Sequence, residues 1–352
     1  MRVLITGGAG FIGSHLATSL VANGHQVTVL DDLSTGRLEN IAHLDRCAGF
    51  RWVRGSVLRE EVVAPLVDGC DVVFHLAAAV GVKLVVDAPI HTIETNVKGT
   101  ETVLRCAARR RALVIVASTS EVYGKSASLP FREDLDLVLG PPTKRRWGYA
   151  ASKLLDEFLA LAYWKEHLLP TIVVRFFNCV GPRQSSRYGM VLPNFVRQAI
   201  ANAPITVHGD GSQTRSFTWV GDVVSALEAL MVERRAVGQI FNVGNDHEVS
   251  IGELALRVKA AAGSRSDIQF VTYKQAYDGD FEDMPRRVPD ITKLRDLVGY
   301  RPEVLLPEII DRTIEYWRQE QVVEIAPARR TVDLGVRPAF EPRLQPAVGA
   351  TL

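Results

Sequence analysis

A phenol and an ammonium group lie four residues apart near the middle of this chain, at Tyr149 and Lys153. On a helix this spacing places both side chains on one face. A lysine and a second positive charge nearby lower the pKa of a phenol, which can then take a proton from a hydroxyl group. We therefore predict that Tyr149 is a general base and that Lys153 tunes it, although a Tyr and a Lys at this spacing are usually surface residues.

Hydroxyl side chains follow the apolar run 113–117, in the segment Ser118-Thr119-Ser120. Ligands of open α/β sheets collect at the carboxyl ends of the strands, where this segment is expected to lie. We predict that Thr119 hydrogen-bonds the same substrate oxygen that Tyr149 deprotonates.

A glycine-rich run opens the chain directly after a short apolar strand at 2–5. Gly7 permits a tight turn, Gly10 lets backbone N–H groups approach a diphosphate, and Gly13 allows a helix at 12–22 to pack closely on the strand. The cofactor contacts predicted from this run are Gly7, Gly10, Phe11, Ile12 and Gly13.

An acidic residue, Asp31, closes the next predicted strand, 26–30, and lies eighteen residues after Gly13. This is the spacing of a carboxylate that binds an adenosine ribose and repels a 2′-phosphate. The sequence therefore predicts a bound dinucleotide, with NAD favoured over NADP.

Apolar strand-like runs then alternate with helical stretches such as 93–109. The runs lie at 50–54, 72–76, 113–117 and 171–175. This alternation predicts an α/β fold, a Rossmann doubly wound parallel sheet with helices on both faces.

The pattern changes after the last of these strands. We predict an NAD-binding Rossmann domain at 1–177 and a smaller C-terminal α/β lobe at 178–326 that binds the substrate, in which 240–243 forms a strand. Residues 327–352 carry several prolines and arginines without a clear period. They are predicted to form a flexible tail.

The overall composition excludes several classes of protein. The 41 basic and 40 acidic residues nearly cancel, so neither nucleic acid nor a membrane surface is an expected partner. The four cysteines form no CxxC pair and the eight histidines lack metal-ligand spacing, so no metal is predicted. No apolar run could span a bilayer, and the first strand leaves no room for a signal peptide, so we predict a cytoplasmic protein.

The chain resembles the extended short-chain dehydrogenase/reductases that modify nucleotide sugars, over about residues 1–320. The glycine run, His75-Leu76-Ala77-Ala78, Asn96-Val97-Lys98-Gly99-Thr100, the hydroxyl-rich strand end and the Tyr/Lys helix carry this resemblance. It implies a tightly held NAD that is reused, and a structural or active-site role for Asn96. The further NAD contacts that it implies are Leu76, Ala77 and Ala78. One departure is Ser56, where the family usually has an aspartate that contacts the adenine.

The pair Ser120-Glu121 lies at a position that distinguishes the different enzymes of this family. It is similar to UDP-glucuronate decarboxylases, whereas 4-epimerases usually have a small or hydroxyl residue at Glu121 and 4,6-dehydratases have an Asp-Glu pair. Segments 133–149 and 281–291 are similar to the same decarboxylases. The resemblance thus implies oxidation at carbon 4 and release of CO2, giving UDP-xylose or a UDP-4-keto-pentose. The main alternative is a UDP-glucose or UDP-glucuronate 4-epimerase, and a non-catalytic NAD-binding sensor is less favoured.

Roles in the decarboxylation step follow from this resemblance. Glu121 would favour loss of the substrate carboxylate by like-charge repulsion or, when protonated, would orient it. Ser120 would hold that carboxylate or relay a proton. The alternative for Glu121 is a solvated acid at the end of a strand.

Several cationic residues are expected to bind the nucleotide sugar, because guanidinium groups suit diphosphate oxygens. Arg215 and Arg287 match family arginines near the substrate, and Arg215 is also assigned to the decarboxylation step. Asn178 matches an asparagine that contacts the nucleotide sugar, while Arg183 and Arg187 are weaker candidates. The resemblance also implies a homodimer that buries two helices of each subunit, one of which carries Tyr149.

Overall fold

The computed structural model describes residues 1–186, 189–273, 275 and 282–325. The predicted tail at 327–352 and the substrate candidate Arg187 lie outside these residues. Among the described helices, none is both long and apolar enough to cross a membrane.

The strands in chain order are β1 (Arg2–Thr6), β2 (Gln26–Asp31), β3 (Phe50–Arg54), β4 (Val72–His75), β5 (Leu113–Thr119), β6 (Thr171–Phe176), β7 (Cys179–Val180), β8 (Ile205–His208), β9 (Thr214–Ser216), β10 (Thr218–Trp219), β11 (Gln239–Val243), β12 (Glu248–Ser250) and β13 (Ile268–Val271). The helices are α1 (Phe11–Ala22), α2 (Glu60–Asp68), α3 (Val82–Asp87), α4 (Pro89–Ala108), α5 (Arg146–His167), α6 (Val191–Ile200), α7 (Val220–Val232), α8 (Ile251–Ala262), α9 (Thr292–Val298) and α10 (Leu306–Ile325).

A seven-stranded parallel sheet forms the centre of the fold, in the order β11-β6-β5-β4-β1-β2-β3. Its central strands are continuous apolar runs because helices cover both faces. Leu16 of α1 and Leu227 of α7 belong to the core on one face. Val63 of α2, Val103 of α4 and Ala160 of α5 belong to the core on the other. The predicted α/β fold with a Rossmann sheet is confirmed.

Residues from the C-terminal half also belong to the central sheet and its core. The two lobes are therefore not separated by a single boundary between residues 177 and 178. Strand β11 pairs in parallel with β6, and α7 packs with α1 in the same core. Pairing with β11 covers the edge of β6, which would otherwise leave backbone groups unpaired. The smaller lobe has its own core, with contributions from α6, α8 and α10. It is thus assembled from separate segments of the chain.

A buried histidine ties the central strands to α4. The imidazole of His75 hydrogen-bonds Thr6 through Nδ1 at 2.8 Å and Thr100 through Nε2 at 3.0 Å. Burial, helped by the positive charge of Lys153, lowers the pKa of His75 to about 3. The ring is therefore neutral in the folded protein at neutral pH.

We expect His75 to make the protein less stable on acidification. The unfolded imidazole takes up a proton near pH 6.5 whereas the folded one does not, so the free energy of unfolding falls as the pH drops from about 6.5 towards 3. Its contribution is up to about 1.4 kcal/mol per pH unit. Urea unfolding between neutral and mildly acidic pH should show a shallower dependence for His75→Gln. The exposed His167→Gln is the control, and parallel curves for native protein and His75→Gln would contradict this prediction.

Candidate active site

One cavity of about 700 Å³ runs along the carboxyl ends of the central strands and into the smaller lobe. This volume suits a ligand that reaches both lobes. The predicted cofactor residues on its wall are Gly7, Gly10, Phe11, Ile12, Gly13, Asp31, Leu76, Ala77, Ala78, Tyr149 and Lys153. The predicted catalytic and substrate residues on its wall are Thr119, Ser120, Glu121, Tyr149, Lys153, Asn178, Arg183, Arg215 and Arg287.

The glycine turn leaves no room for side chains. Gly7 has a φ of +72°, and a Cβ there would lie 2.7 Å from the backbone nitrogen of Ala77. A Cβ at Gly13 would overlap the carbonyl oxygen of Gly7. The turn leads into the N-terminus of α1, which presents backbone N–H groups and a positive dipole end. These features fit the diphosphate of a dinucleotide.

The carboxylate of Asp31 is fixed on the cavity wall at the end of β2. Its Oδ2 accepts a hydrogen bond from the backbone of Ala9 at 2.9 Å, and its Oδ1 accepts one from Leu33 at 2.8 Å. Both bonds orient it beside the glycine turn, as a ribose contact requires. Ser56 also lines the cavity, so a hydroxyl group stands where a family aspartate was expected.

Asn96 is not among the residues of the cavity wall, and its contacts are structural. Its Oδ1 accepts a hydrogen bond from the backbone of Ala79 at 2.8 Å. Its amide nitrogen donates to the hydroxyl of Ser152 at 3.1 Å. Asn96 therefore links the loop after β4 to α5, the helix that carries Tyr149 and Lys153.

The predicted base and its partner come together at the end of β5. Tyr149 on α5 and Thr119, the last residue of β5, line the same cavity. Lys153 is buried, and its Nζ lies 2.6 Å from Oδ2 of Asp156, one turn further along α5. The i, i+4 spacing on α5 thus brings Tyr149 and Lys153 to the same cavity, as predicted.

The predicted lowering of the Tyr149 pKa depends on a second positive charge from a bound cofactor, and the protein chain by itself holds this pKa above its ordinary value. Burial raises this pKa above its ordinary value, and the negative charge of Glu121 raises it further. The neighbouring Thr119 acts in the opposite direction but does not prevail. The ammonium group of Lys153 is already paired with Asp156.

Five charged side chains form what we call the charge cluster: Glu121, Arg146, Arg215, Asp283 and Arg287. The carboxylate of Glu121 accepts two hydrogen bonds from Arg146, from Nε and Nη2, each at 2.9 Å. Arg287 donates a third to Glu121 and also reaches Oδ1 of Asn178, at 2.9 Å. Among the described residues, Nε of Arg287 is buried without a hydrogen-bond partner.

Asp283 joins the other half of the charge cluster. Its carboxylate accepts hydrogen bonds from Arg146 and Arg215, both at 2.7 Å, and from the hydroxyl of Tyr273 at 2.9 Å. Burial and the nearby charge of Arg287 lower the pKa of Arg215 to about 10. The roles of Arg146, Asp283 and Tyr273 escaped the sequence analysis. The resemblance of 133–149 and 281–291 to decarboxylases was the available signal for the first two.

Glu121 is a partly buried carboxylate, with a side chain that is 15% exposed. Burial alone would raise its pKa, but the charges of Arg146 and Arg287 prevail and lower it below the ordinary value. Glu121 is thus held by two arginines and is not a solvated acid at the end of a strand, and in the protein chain by itself its ionised form is favoured. The carboxylate form predicted for like-charge repulsion is the one that the structure stabilises.

Of the two further substrate candidates, the structure describes Arg183, which lines the cavity. Arg183 donates to the hydroxyl of Thr18 in α1 at 3.3 Å, and it is not part of the charge cluster. Arg187 is outside the described residues. Among the described residues, there is no group of three or more metal-ligating side chains that could hold an ion.

Residues 3–244 match the model of the NAD dependent epimerase/dehydratase family. A UDP-N-acetyl-alpha-D-glucosaminuronate decarboxylase of Bacillus cytotoxicus is 42% identical over 319 residues, which cover 90% of this chain and 98% of the relative. UDP-glucuronic acid decarboxylase 1 of Xenopus tropicalis is 39% identical, over 91% of this chain and 72% of the relative.

Solved structures agree with this grouping. A UDP-glucuronic acid 4-epimerase from Bacillus cereus, solved with UDP-glucuronic acid and NAD, has a TM-score of 0.82 and 28% identity. The match covers 91% of this chain and 100% of the epimerase. A dTDP-glucose 4,6-dehydratase from Streptomyces venezuelae, solved with NAD, has a TM-score of 0.83 and 29% identity, covering 92% and 98%. The predicted cofactor, NAD, is confirmed, and the chain belongs to the NAD dependent epimerase/dehydratase family.

Proposed function

We propose that this enzyme decarboxylates a UDP-uronic acid, with UDP-glucuronate as its substrate. The observation that carries the proposal is the position of Glu121 and Arg287, which line the same cavity as the Tyr149–Thr119 pair. The 42% and 39% identity to decarboxylases of two UDP-uronic acids supports the same reaction.

The first step removes a proton from the carbon 4 hydroxyl group and a hydride from carbon 4 of the sugar. Bound NAD supplies the hydride acceptor and can return the hydride after the carboxylate has left. Tyr149 accepts the proton of the carbon 4 hydroxyl, and Thr119 hydrogen-bonds the same oxygen. Burial and Glu121 raise the pKa of Tyr149 in the protein chain by itself, and the positive charge of a bound nicotinamide would act in the opposite direction and favour the phenolate.

The second step breaks the bond between carbons 5 and 6. The ketone at carbon 4 accepts the electron pair of that bond, so CO2 leaves and an enolate remains. Tyr149, now protonated, and Thr119 stabilise the enolate oxygen by hydrogen bonding. Carbon 5 then takes up a proton from water, while the proton on Tyr149 remains for the carbon 4 oxygen. Return of hydride to carbon 4 gives UDP-xylose, whereas release before this return gives the UDP-4-keto-pentose.

Glu121 and Arg287 are placed to act on the carboxylate of the sugar. We propose that this carboxylate lies beside the charge cluster, with Arg287 and Ser120 holding it. The ionised Glu121 disfavours a second negative charge next to it and so promotes loss of CO2. A 4-epimerase also needs Tyr149 and Thr119, but its reaction leaves the bond between carbons 5 and 6 intact. A charged group that promotes loss of the carboxylate, Glu121, therefore favours the decarboxylase over that alternative.

We also propose a homodimer that buries one face of α4 and α5. Four large apolar side chains are exposed on these helices, Ile90, Ile93, Leu155 and Phe158, and Phe158 is 64% exposed. The two helices are neighbours, since a Cβ at Gly148 would lie 3.5 Å from the side chain of Ile93. Large apolar side chains exposed on neighbouring helices are typical of a subunit interface. A cytoplasmic location is proposed on the four free cysteines.

The purified protein is expected to convert UDP-glucuronate into a product lighter by one CO2. Mass spectrometry of reactions with UDP-glucuronate, UDP-N-acetylglucosaminuronate and UDP-glucose would identify the substrate. Tyr149→Phe removes the base and should lower turnover by about 10²–10⁴-fold without loss of the fold. A product of unchanged mass but altered configuration would establish the epimerase instead.

Glu121→Gln is expected to lower the rate of CO2 release by about 100-fold or more, because it removes the charge that acts on the carboxylate. Oxidation at carbon 4 depends on Tyr149, so the absorbance of the reduced cofactor should still form in a single turnover. The exposed Glu166→Gln on the same helix as Tyr149 serves as the control. Equal rates of CO2 release by the native protein and Glu121→Gln would contradict the role assigned to Glu121.

Phe158→Glu is expected to shift the protein from dimer to monomer, because it places a charge in the apolar face of α4 and α5. Light scattering after size-exclusion chromatography measures the mass directly. Phe270→Glu is a matched control, since this phenylalanine is 58% exposed on β13 and lies on another part of the surface. A mass that does not change for Phe158→Glu would contradict the proposed interface.

A further inference from the structure

Arg146 occupies a position that helix stability does not explain. It is the first residue of α5, and the first turn contains no acidic side chain. A cation at the N-terminus of a helix faces the positive end of the dipole, which is unfavourable. The Arg146 side chain is nevertheless only 7% exposed. Some other interaction must therefore keep it there.

That interaction is with two carboxylates on different parts of the chain. Nε and Nη2 of Arg146 form a fork on Glu121, with two bonds of 2.9 Å. Its Nη1 donates to Asp283 at 2.7 Å and to the carbonyl oxygen of Glu282 at 2.8 Å. Arg146 also lines the cavity, but all three of its nitrogens donate hydrogen bonds within the protein, so we expect it to act through Glu121.

We propose that Arg146 is a positioning residue for decarboxylation, which fixes the carboxylate of Glu121 in the cavity next to Tyr149. This inference rests on the proposed function. Arg146 and Tyr149 are three residues apart on α5, so one helix face carries both the base and the group that orients Glu121. Asp283 in turn holds the second side of the Arg146 guanidinium. The same rigid helix thus sets the distance between the two reactive groups.

The charged groups around Glu121 predict how its pKa changes when Arg146 is replaced. Arg146 reaches Glu121 from α5 and Arg287 from the segment 282–291, while Asp283 and Arg215 act on it from a greater distance. Tyr149 is a further titratable neighbour. Replacing Arg146 by a neutral residue leaves two carboxylates facing two guanidinium groups, so protonation of Glu121 becomes easier.

The first test titrates Glu121 directly, without substrate. Isotope-edited infrared spectra of protein with ¹³C-labelled glutamate, taken as the difference from Glu121→Gln, report its ionisation. Arg146→Gln is expected to raise the pKa of Glu121 by about 1–3 units. Arg146→Lys keeps the positive charge but loses the two parallel hydrogen bonds to Glu121. Because the net charge of the cluster is unchanged, this variant should raise the pKa of Glu121 by less than Arg146→Gln does. Arg132→Gln, which loses an exposed arginine paired with Asp134, should leave the titration unchanged.

The second test follows CO2 release from UDP-glucuronate against pH. Because the ionised form of Glu121 is required, Arg146→Gln and Arg146→Lys should move the acid limb of kcat to higher pH by the same amounts as the infrared titration. Formation of the reduced cofactor in a single turnover should be less affected than CO2 release. The inference would be overturned if both variants had the same pH dependence of kcat, and the same titration of Glu121, as the native protein. If the native protein released no CO2 while the infrared shift occurred, the proposed function would fail and only the ionic contact would stand.

Discussion

The bidentate contact between Arg146 and Glu121 is the interaction on which the arrangement of the site depends. It joins the end of β5 to the start of α5, and Asp283 extends it to Arg215 of β9. Burying charges costs solvation energy, and removing one partner of such a pair costs about 3–5 kcal/mol. Apolar side chains of similar size would often stabilise a protein as well as this cluster does. Its presence is better explained by chemistry than by stability.

The fold assembles this site from parts that are distant in sequence. The cofactor turn lies at the start of the chain, the base lies on α5, and the segment with Asp283 and Arg287 comes after β13. One cavity connects them, because parallel strands present their carboxyl ends at a single edge of the sheet. A sugar held in this cavity would meet the base and the charge cluster together. Oxidation at carbon 4 and loss of the neighbouring carboxylate then require no transfer between sites.

The sequence predicts features that depend on neighbouring residues. The glycine turn, the spacing of Tyr149 and Lys153, and the apolar strands are local patterns, and the structure has them where they were expected. The contacts of Arg146 are not local, since its partners Glu121 and Asp283 are 25 and 137 residues away. The pKa of Tyr149 likewise combines burial with the charge of Glu121, and both need coordinates. The return of β11 to the central sheet depends on which strand edge is free, and periodicity does not reveal this.

A crystal structure of Tyr149→Phe with NAD and UDP-glucuronate would test the central claim most directly, since this variant should bind the sugar without turning it over. We expect the carbon 4 oxygen within about 3.2 Å of Thr119 Oγ1. We also expect the sugar carboxylate to contact Arg287 beside Glu121. A sugar whose carboxylate points away from the charge cluster, towards solvent or towards Arg183, would contradict the proposed chemistry.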